Sequence, residues 1–188
     1  MLGIRPLSPT FRVQGPAFTV RLVPTGGRGG TGGDFIDDVE RGAVVVLDNG
    51  GRTDVTVWGD ILTLAATVRG AAGTVIHGVC RDAVRIVDSG YPVFSRGAYM
   101  RTGKDRVRAE AVGETVSLGT ASVAQGDLVV GDADGVVVVP HIHREEVLRL
   151  TEQIGAAEER IRRIVMAGGS LAEARAAEGY HRLQRRGT

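Results

Sequence analysis

A chain of 188 residues, 43% hydrophobic and 24% charged, has the composition of an ordinary folded domain and the length to bury about 70% of its unfolded surface. A net charge of +1 gives no steering toward nucleic acid, and 4% aromatics leave little to stack on bases. The single cysteine, Cys80, excludes a disulfide framework and a multi-cysteine zinc site. With no signal-peptide pattern and no apolar run of about 18 residues, the expectation is a cytoplasmic protein with no membrane partner.

Residues 1–14 contain Arg5-Pro6 and Ser8-Pro9 and read as an extended lead-in. Residues 16–23 alternate as a strand does. The glycine run GGRGGTGG (26–33) follows, and Phe35, Ile36 and Val39 then share one face of a helix of about two turns, which Gly42 stops. Residues 43–48 (AVVVLD) are apolar without alternation, as in a strand covered on both faces. Ile61, Leu62, Ala65 and Val68 recur at helical spacing between Gly59 and Gly70. A second buried strand follows at 73–78, then a short helix over 83–89 and a strand at 91–95.

The second half is rich in valine, threonine and glycine, which predicts short antiparallel strands over 107–123. Asp134-Gly135 between two apolar runs predicts a hairpin. Residues 141–167 then form one amphipathic helix with the stripe Val147, Leu150, Ile154, Ile161, Ile164 and Val165. Ser170 caps a last short helix over 171–178. The expected organisation is a single α/β domain, with a catalytic core at 1–140 and a helical arm at 141–188. A stripe of that length needs a partner surface, so the arm is expected to pack on a neighbouring subunit.

Three places carry candidate chemistry. Gly27, Gly29 and Gly32 spell a dinucleotide-type fingerprint, with Asp48 ending the next strand where a ribose-binding acid stands. The helix after them is too short for that crossover, and glycine-rich runs contain the pattern by chance. Asp60 fits the N-cap of the helix that follows it, and it also stands beside amides, at Ile61 and Leu62, suited to an anion. Arg81 and Asp82 end a buried strand at the sheet edge where α/β folds place ligands, although Asp82 equally fits the cap of the helix starting at Ala83.

Asp60, twenty intervening residues and then Arg81-Asp82 resembles the class II pyruvate aldolases for 4-hydroxy-4-methyl-2-oxoglutarate and 4-carboxy-4-hydroxy-2-oxoadipate. These belong to the regulator of ribonuclease activity A superfamily, often labelled demethylmenaquinone methyltransferase-like. The blocks IRPLSPTFRVQGPAFTVR, VVVLDNGG, WGDILTLAA, GTVIHGVCRD, YPVFSRG and QGDLVVGDADGVVVVP stand in that family's order. The resemblance implies the swivelling β/β/α fold (phosphohistidine-domain-like), assembled as a homotrimer or a dimer of trimers. It implies Mg²⁺ or Mn²⁺ held directly by Asp82 and through water by Asp60. It also implies that Arg81 binds the substrate's keto oxygen, with the pyruvyl carboxylate at Gly59, Ile61 and Leu62, and that a neighbouring subunit lends an acid, Glu158 or Glu159.

The implied activity is cleavage of a 4-hydroxy-2-oxo acid to pyruvate and a second oxo-acid, with oxaloacetate decarboxylation beside it. Arg81 and Asp60 are the candidate catalytic residues, and a water steered by Asp60 is the candidate base. A second expectation is a non-catalytic ribonuclease-regulator-like binding protein, and a third is a member recruited to a specialised biosynthetic pathway. The non-catalytic branch lacks the second acid of the Arg-Asp pair, so Asp82 favours the enzyme. His77, in GTVIHG, departs from the family's usual GVVIDG-like pattern, and GGRGGTGG replaces a normally polar, substrate-facing segment.

Overall fold

The valine run at residues 44–48 lies at the centre of a mixed sheet, and its alternate side chains enter two different cores. In the computed structural model, which describes residues 1, 3–26 and 33–183, Val45 and Leu47 join a cluster with Ile76, Ala66, Ile86 and Trp58. Val44 and Val46 join a second cluster with Val75, Phe94, Leu118 and Val129. A strand covered on both sides needs no polar alternation, which is why its sequence has none.

The strands are β1 (Arg5–Pro6), β2 (Val13–Pro24), β3 (Val44–Asp48), β4 (Gly73–His77), β5 (Val93–Ser95), β6 (Val107–Val112), β7 (Val116–Leu118), β8 (Ala121–Val123), β9 (Leu128–Asp132) and β10 (Gly135–Val139). Helices α1 (Asp60–Arg69) and α2 (Ala83–Ser89) connect β3 to β4 and β4 to β5. Across the main sheet the order is β1-β5-β4-β3-β2-β9-β10, with β6 also on β2. The pairs β2/β3, β3/β4 and β4/β5 are parallel, and the remaining pairs are antiparallel.

β2 is the hub. One of its sides pairs with β3; the other pairs first with β9 and then, from Val20, with β6. A register shift between Arg21 and Leu22 re-aims the strand along β6. The two ends of the sheet also meet. The Met1 ammonium donates to the Val136 carbonyl at 2.8 Å, and the Arg5 guanidinium donates to the Asp134 carbonyl. The sheet is thereby a nearly closed barrel flanked by helices, the swivelling β/β/α architecture.

Some expectations shift. The segment after the glycine run is a 3-10 turn, Asp34–Asp38, rather than an α-helix. Gly27, Gly29 and Gly32 lie outside the described residues. The hairpin turn falls at Ala133 and Asp134, one position early, because Gly135 already pairs with Asp132. Tyr91 precedes β5 and stacks on Trp58 instead, with ring centroids 6.3 Å apart.

The chain divides into two compact units, Met1–His141 and Ile142–Thr188. The second contains α3 (Arg144–Met166), α4 (Leu171–Ala177) and α5 (Tyr180–Leu183). Ser170 caps α4 by accepting from the Glu173 amide. Arg160 pairs with Glu178 at 2.7 Å across α3 and the end of α4. No helix among the described residues is long and apolar enough to cross a membrane.

Asp127 fastens the end of the first unit. Its buried carboxylate accepts the Ala124 amide at 2.9 Å, the His141 amide at 2.9 Å and the His141 imidazole at 3.2 Å. Burial pushes this carboxyl up, but the three donors together hold it below the usual carboxylate range. A depressed folded-state value means stability present above the unfolded value of about 3.9 and lost as pH falls through the folded one. Asp127→Asn is therefore expected to destabilise the protein by about 1–3 kcal/mol at pH 7. The difference in Tm between wild type and variant should shrink below about pH 4. A gap that stays constant down to pH 2.5 would contradict this role.

Candidate functional site

The loop after β3 returns to the sheet edge by pairing with the segment that follows β4. Thr56 bridges Val79 in parallel, the Val57 amide donates to Val79 O at 3.3 Å, and the Arg81 amide donates to Trp58 O at 2.9 Å. This ladder brings Gly59-Asp60 against Arg81-Asp82. Trp58, 2% exposed, locks the corner: its indole donates to the Thr63 hydroxyl at 2.9 Å, which donates to Gly59 O at 2.9 Å.

Both acids are free of the capping roles that their positions allowed. Gly59, in extended backbone, is the N-cap of α1, and Asp60 is the first helical residue. Asp82 holds the N-cap position of α2 but makes no capping bond with its side chain. Its Oδ2 turns instead toward the Asp60 amide, 3.3 Å away, and lies 3.3 Å from Arg81 Nε. Asp82 also has φ 58°, in the left-handed region, which is uncommon for a non-glycine residue although aspartate tolerates it better than most. Such positions cluster at functional sites.

A side chain at Gly59 would displace the Arg81–Asp82 pair. A Cβ there would stand 2.7 Å from Asp82 Oδ2 and 3.1 Å from Arg81 Nε. The Asp60 carboxylate pairs with Arg85 at 2.7 Å. Chiefly through that guanidinium, with help from the Ile61 amide, it is held below the usual carboxylate range even against its own desolvation. Arg85 carried no signal in the sequence, since nothing in the spacing of α1 and α2 shows which face of one meets the other.

A cleft of ≈ 760 Å³ opens beside this corner. Gly59, Ile61, Leu62 and Arg81 line it on one side, and Thr102, Lys104 and Asp105 line it as well. Asp60 and Asp82 are not among its lining residues and adjoin it through Gly59 and Arg81. Gly33 and Asp34, at the end of the glycine run, also line it. Lys104 carries no signal in the sequence, because a lone lysine in a turn has no pattern around it.

Other candidates lie elsewhere. Asp48, the suspected ribose acid, is committed locally: its oxygens accept from the Gly50 amide at 2.9 Å and the Ser117 amide at 3.2 Å and meet His77 Nδ1 at 3.2 Å. His77 thus belongs to this Asp48–Ser117 network rather than to the cleft lining. Cys80 is fully buried, and burial pushes its thiol up, which disfavours the thiolate a nucleophile needs. Glu158 and Glu159 belong to the helical unit, where both pair with Arg162 and Glu158 also accepts from the Tyr180 hydroxyl at 2.8 Å.

Among the described residues no three His, Cys, Asp or Glu side chains converge on a cation position. What the corner offers is two neighbouring carboxylates, Asp60 and Asp82. All-oxygen donors in that number fit a hard divalent ion that keeps several of its waters, and do not fit zinc.

Comparison with known proteins places this geometry in context. A family model described as "RraA-like: Aldolase/RraA" matches residues 1–138. The chain is 38% identical to Protein DlpA of Legionella pneumophila over 178 residues, covering 93% of this chain but only 29% of DlpA's length. It is 31% identical over 162 residues to a protein of Halalkalibacterium halodurans named "Putative 4-hydroxy-4-methyl-2-oxoglutarate aldolase", covering 83% of this chain and 73% of that one. Among solved structures it resembles Streptomyces coelicolor RraAS2, described as an unusual member of the RNase ES inhibitor RraA protein family. The TM-score is 0.80 at 29% identity, over 86% of this chain and 82% of that one.

Proposed function

The chain belongs to the RraA-like Aldolase/RraA family, and on that footing we propose that it is a divalent-metal-dependent lyase cleaving a 4-hydroxy-2-oxo acid to pyruvate and a second oxo-acid. The observation that carries this reading is the meeting of Asp82 Oδ2 with both the Asp60 amide and the Arg81 guanidinium, beside a cleft that Arg81 lines. Asp82 would hold Mg²⁺ or Mn²⁺ directly and Asp60 would hold it through water. When bound, that ion supplies positive charge at the substrate's carbonyl oxygen.

The chain's own groups account for the remainder. The first turn of α1, at Ile61 and Leu62, receives the pyruvyl carboxylate, where the helix dipole favours negative charge. Arg81 lies against the keto oxygen. As the C3–C4 bond breaks, its electrons move into an enolate and charge grows on that oxygen, so Arg81 stabilises the transition state more than the bound substrate. A water steered by Asp60 takes up the C4 hydroxyl proton as C4 becomes a carbonyl, and protonation of the enolate at C3 then gives pyruvate. Lys104, lining the same cleft, supplies a second cation for a substrate with more than one carboxylate.

An exposed apolar surface beside the site supports the same reading, as a face for self-association. Ile61, Leu64 and Val68 of α1 are 73%, 66% and 74% exposed, and Val84 of α2 is 74% exposed. An apolar stripe of that kind next to the site suits burial against a second copy.

The test is pyruvate release, coupled to lactate dehydrogenase, over a panel of 4-hydroxy-2-oxo acids and oxaloacetate. Turnover is expected with added Mg²⁺ or Mn²⁺ and is expected to vanish with EDTA. Release unaffected by chelation would sink the metal-dependent reading. The likeness to RraAS2 favours a second reading, a non-catalytic partner of a ribonuclease, which predicts no release from any substrate.

A further inference from the structure

We infer that Arg85 is a positioning residue for Asp60, fixing the orientation of that carboxylate at the mouth of α1; the inference rests on the lyase reading above. The four charged side chains at this corner form one run of contacts, with the two acids side by side and a guanidinium at each end. Arg81 Nε lies 3.3 Å from Asp82 Oδ2, Asp82 Oδ2 lies 3.3 Å from the Asp60 amide, and Asp60 Oδ2 lies 2.7 Å from Arg85 Nη1. Each acid therefore has its own guanidinium, and the Asp60–Arg85 contact is the tightest of the three.

Stability does not explain this pair. Arg85 is 78% exposed along its side chain, and solvent-exposed ion pairs contribute little to folding. Buried Ala66 and Ile86 already seat α1 and α2 on the core. With Gly59 at the N-cap, the Asp60 carboxylate has the Ile61 amide beside it but still needs a firmer constraint on its rotamer. Arg85 supplies that constraint. It stands three residues after Asp82, in the first turn of α2. The residue that orients Asp60 is therefore built on the short helix that begins directly after the other acid, which ties the two carboxylates to one element.

Two effects of removing Arg85 oppose each other, and they give the experiment its sign. Deleting a neighbouring positive charge tightens the binding of a dication, but an exposed guanidinium is strongly screened. Freeing Asp60 weakens binding, because the acid must then be ordered when the ion arrives. Positioning is expected to win.

Arg85→Ala and Arg85→Lys should be compared with wild type by thermal unfolding, by Mn²⁺ affinity from the electron paramagnetic resonance of free Mn²⁺, and by kcat and KM for pyruvate release. Arg85→Ala is expected to bind Mn²⁺ about 5-fold more weakly and to lose about 10-fold in kcat, with KM within about 2-fold. Its Tm should stay within about 2 °C of wild type, and Arg85→Lys should recover most of both losses. Tighter or unchanged Mn²⁺ binding with unchanged kcat overturns the role of Arg85 alone. A drop in Tm with no rescue by lysine also overturns it, by making the pair structural. A wild-type chain that neither binds Mn²⁺ nor releases pyruvate overturns the lyase reading and this role with it.

Discussion

Asp82→Asn is expected to lower pyruvate release by about 1,000-fold, or about 4 kcal/mol of transition-state stabilisation, while leaving the fold intact. Asparagine is the informative substitution because it tolerates the left-handed backbone that Asp82 adopts at φ 58°. It also keeps an oxygen able to accept the Asp60 amide, which stands 3.3 Å from Asp82 Oδ2. Only the negative charge is lost. Alanine would add backbone strain of about 1–2 kcal/mol at the same position and mix a folding defect with a chemical one. Unfolding curves for Asp82→Asn should therefore overlay those of wild type. Substantial residual turnover in that variant would exclude Asp82 from the reaction.

Gly59→Ala is expected to cost about 100-fold in turnover through displacement alone. The backbone at Gly59 is extended, with φ −158°, so alanine meets no conformational objection. Its new methyl group would stand 2.7 Å from Asp82 Oδ2 and 3.2 Å from Arg81 Cγ. Both atoms belong to side chains that can swing away, so the domain folds and the site yields. Loss of an N-cap glycine adds at most about 1 kcal/mol of destabilisation. The check is a pair of measurements, Tm and kcat/KM. A full-strength enzyme carrying Gly59→Ala would mean that the Arg81–Asp82 geometry can move without consequence.

Much of the fold was legible because its signals are local. The uninterrupted apolar residues of β3 announced a strand with two covered faces, and Val44 to Leu47 do alternate between two cores. The spacing of Ala65 and its neighbours announced α1, and Ser170 announced α4. Less visible was the division of β2 between β9 and β6, which depends on residues about a hundred positions away. The turn geometry of Asp82 was hidden as well, since a left-handed aspartate and a helical cap look alike in a sequence. The pairing of Asp60 with Arg85 was hidden too, because it requires the relative rotation of two helices. The approach of Asp60 to Arg81-Asp82 could be anticipated from a strand-edge argument, but the ladder from Thr56 to Trp58 that delivers it could not.

The left-handed backbone at Asp82 also bears on how such a scaffold diverges. Aspartate, asparagine and glycine are the residues that sit there with least penalty, and single-base codon changes connect aspartate to each of the other two. Glutamate, one methylene longer and poorly suited to that conformation, offers no equivalent route. A lineage can thus switch the acid off, and later restore it, without passing through an unfolded ancestor.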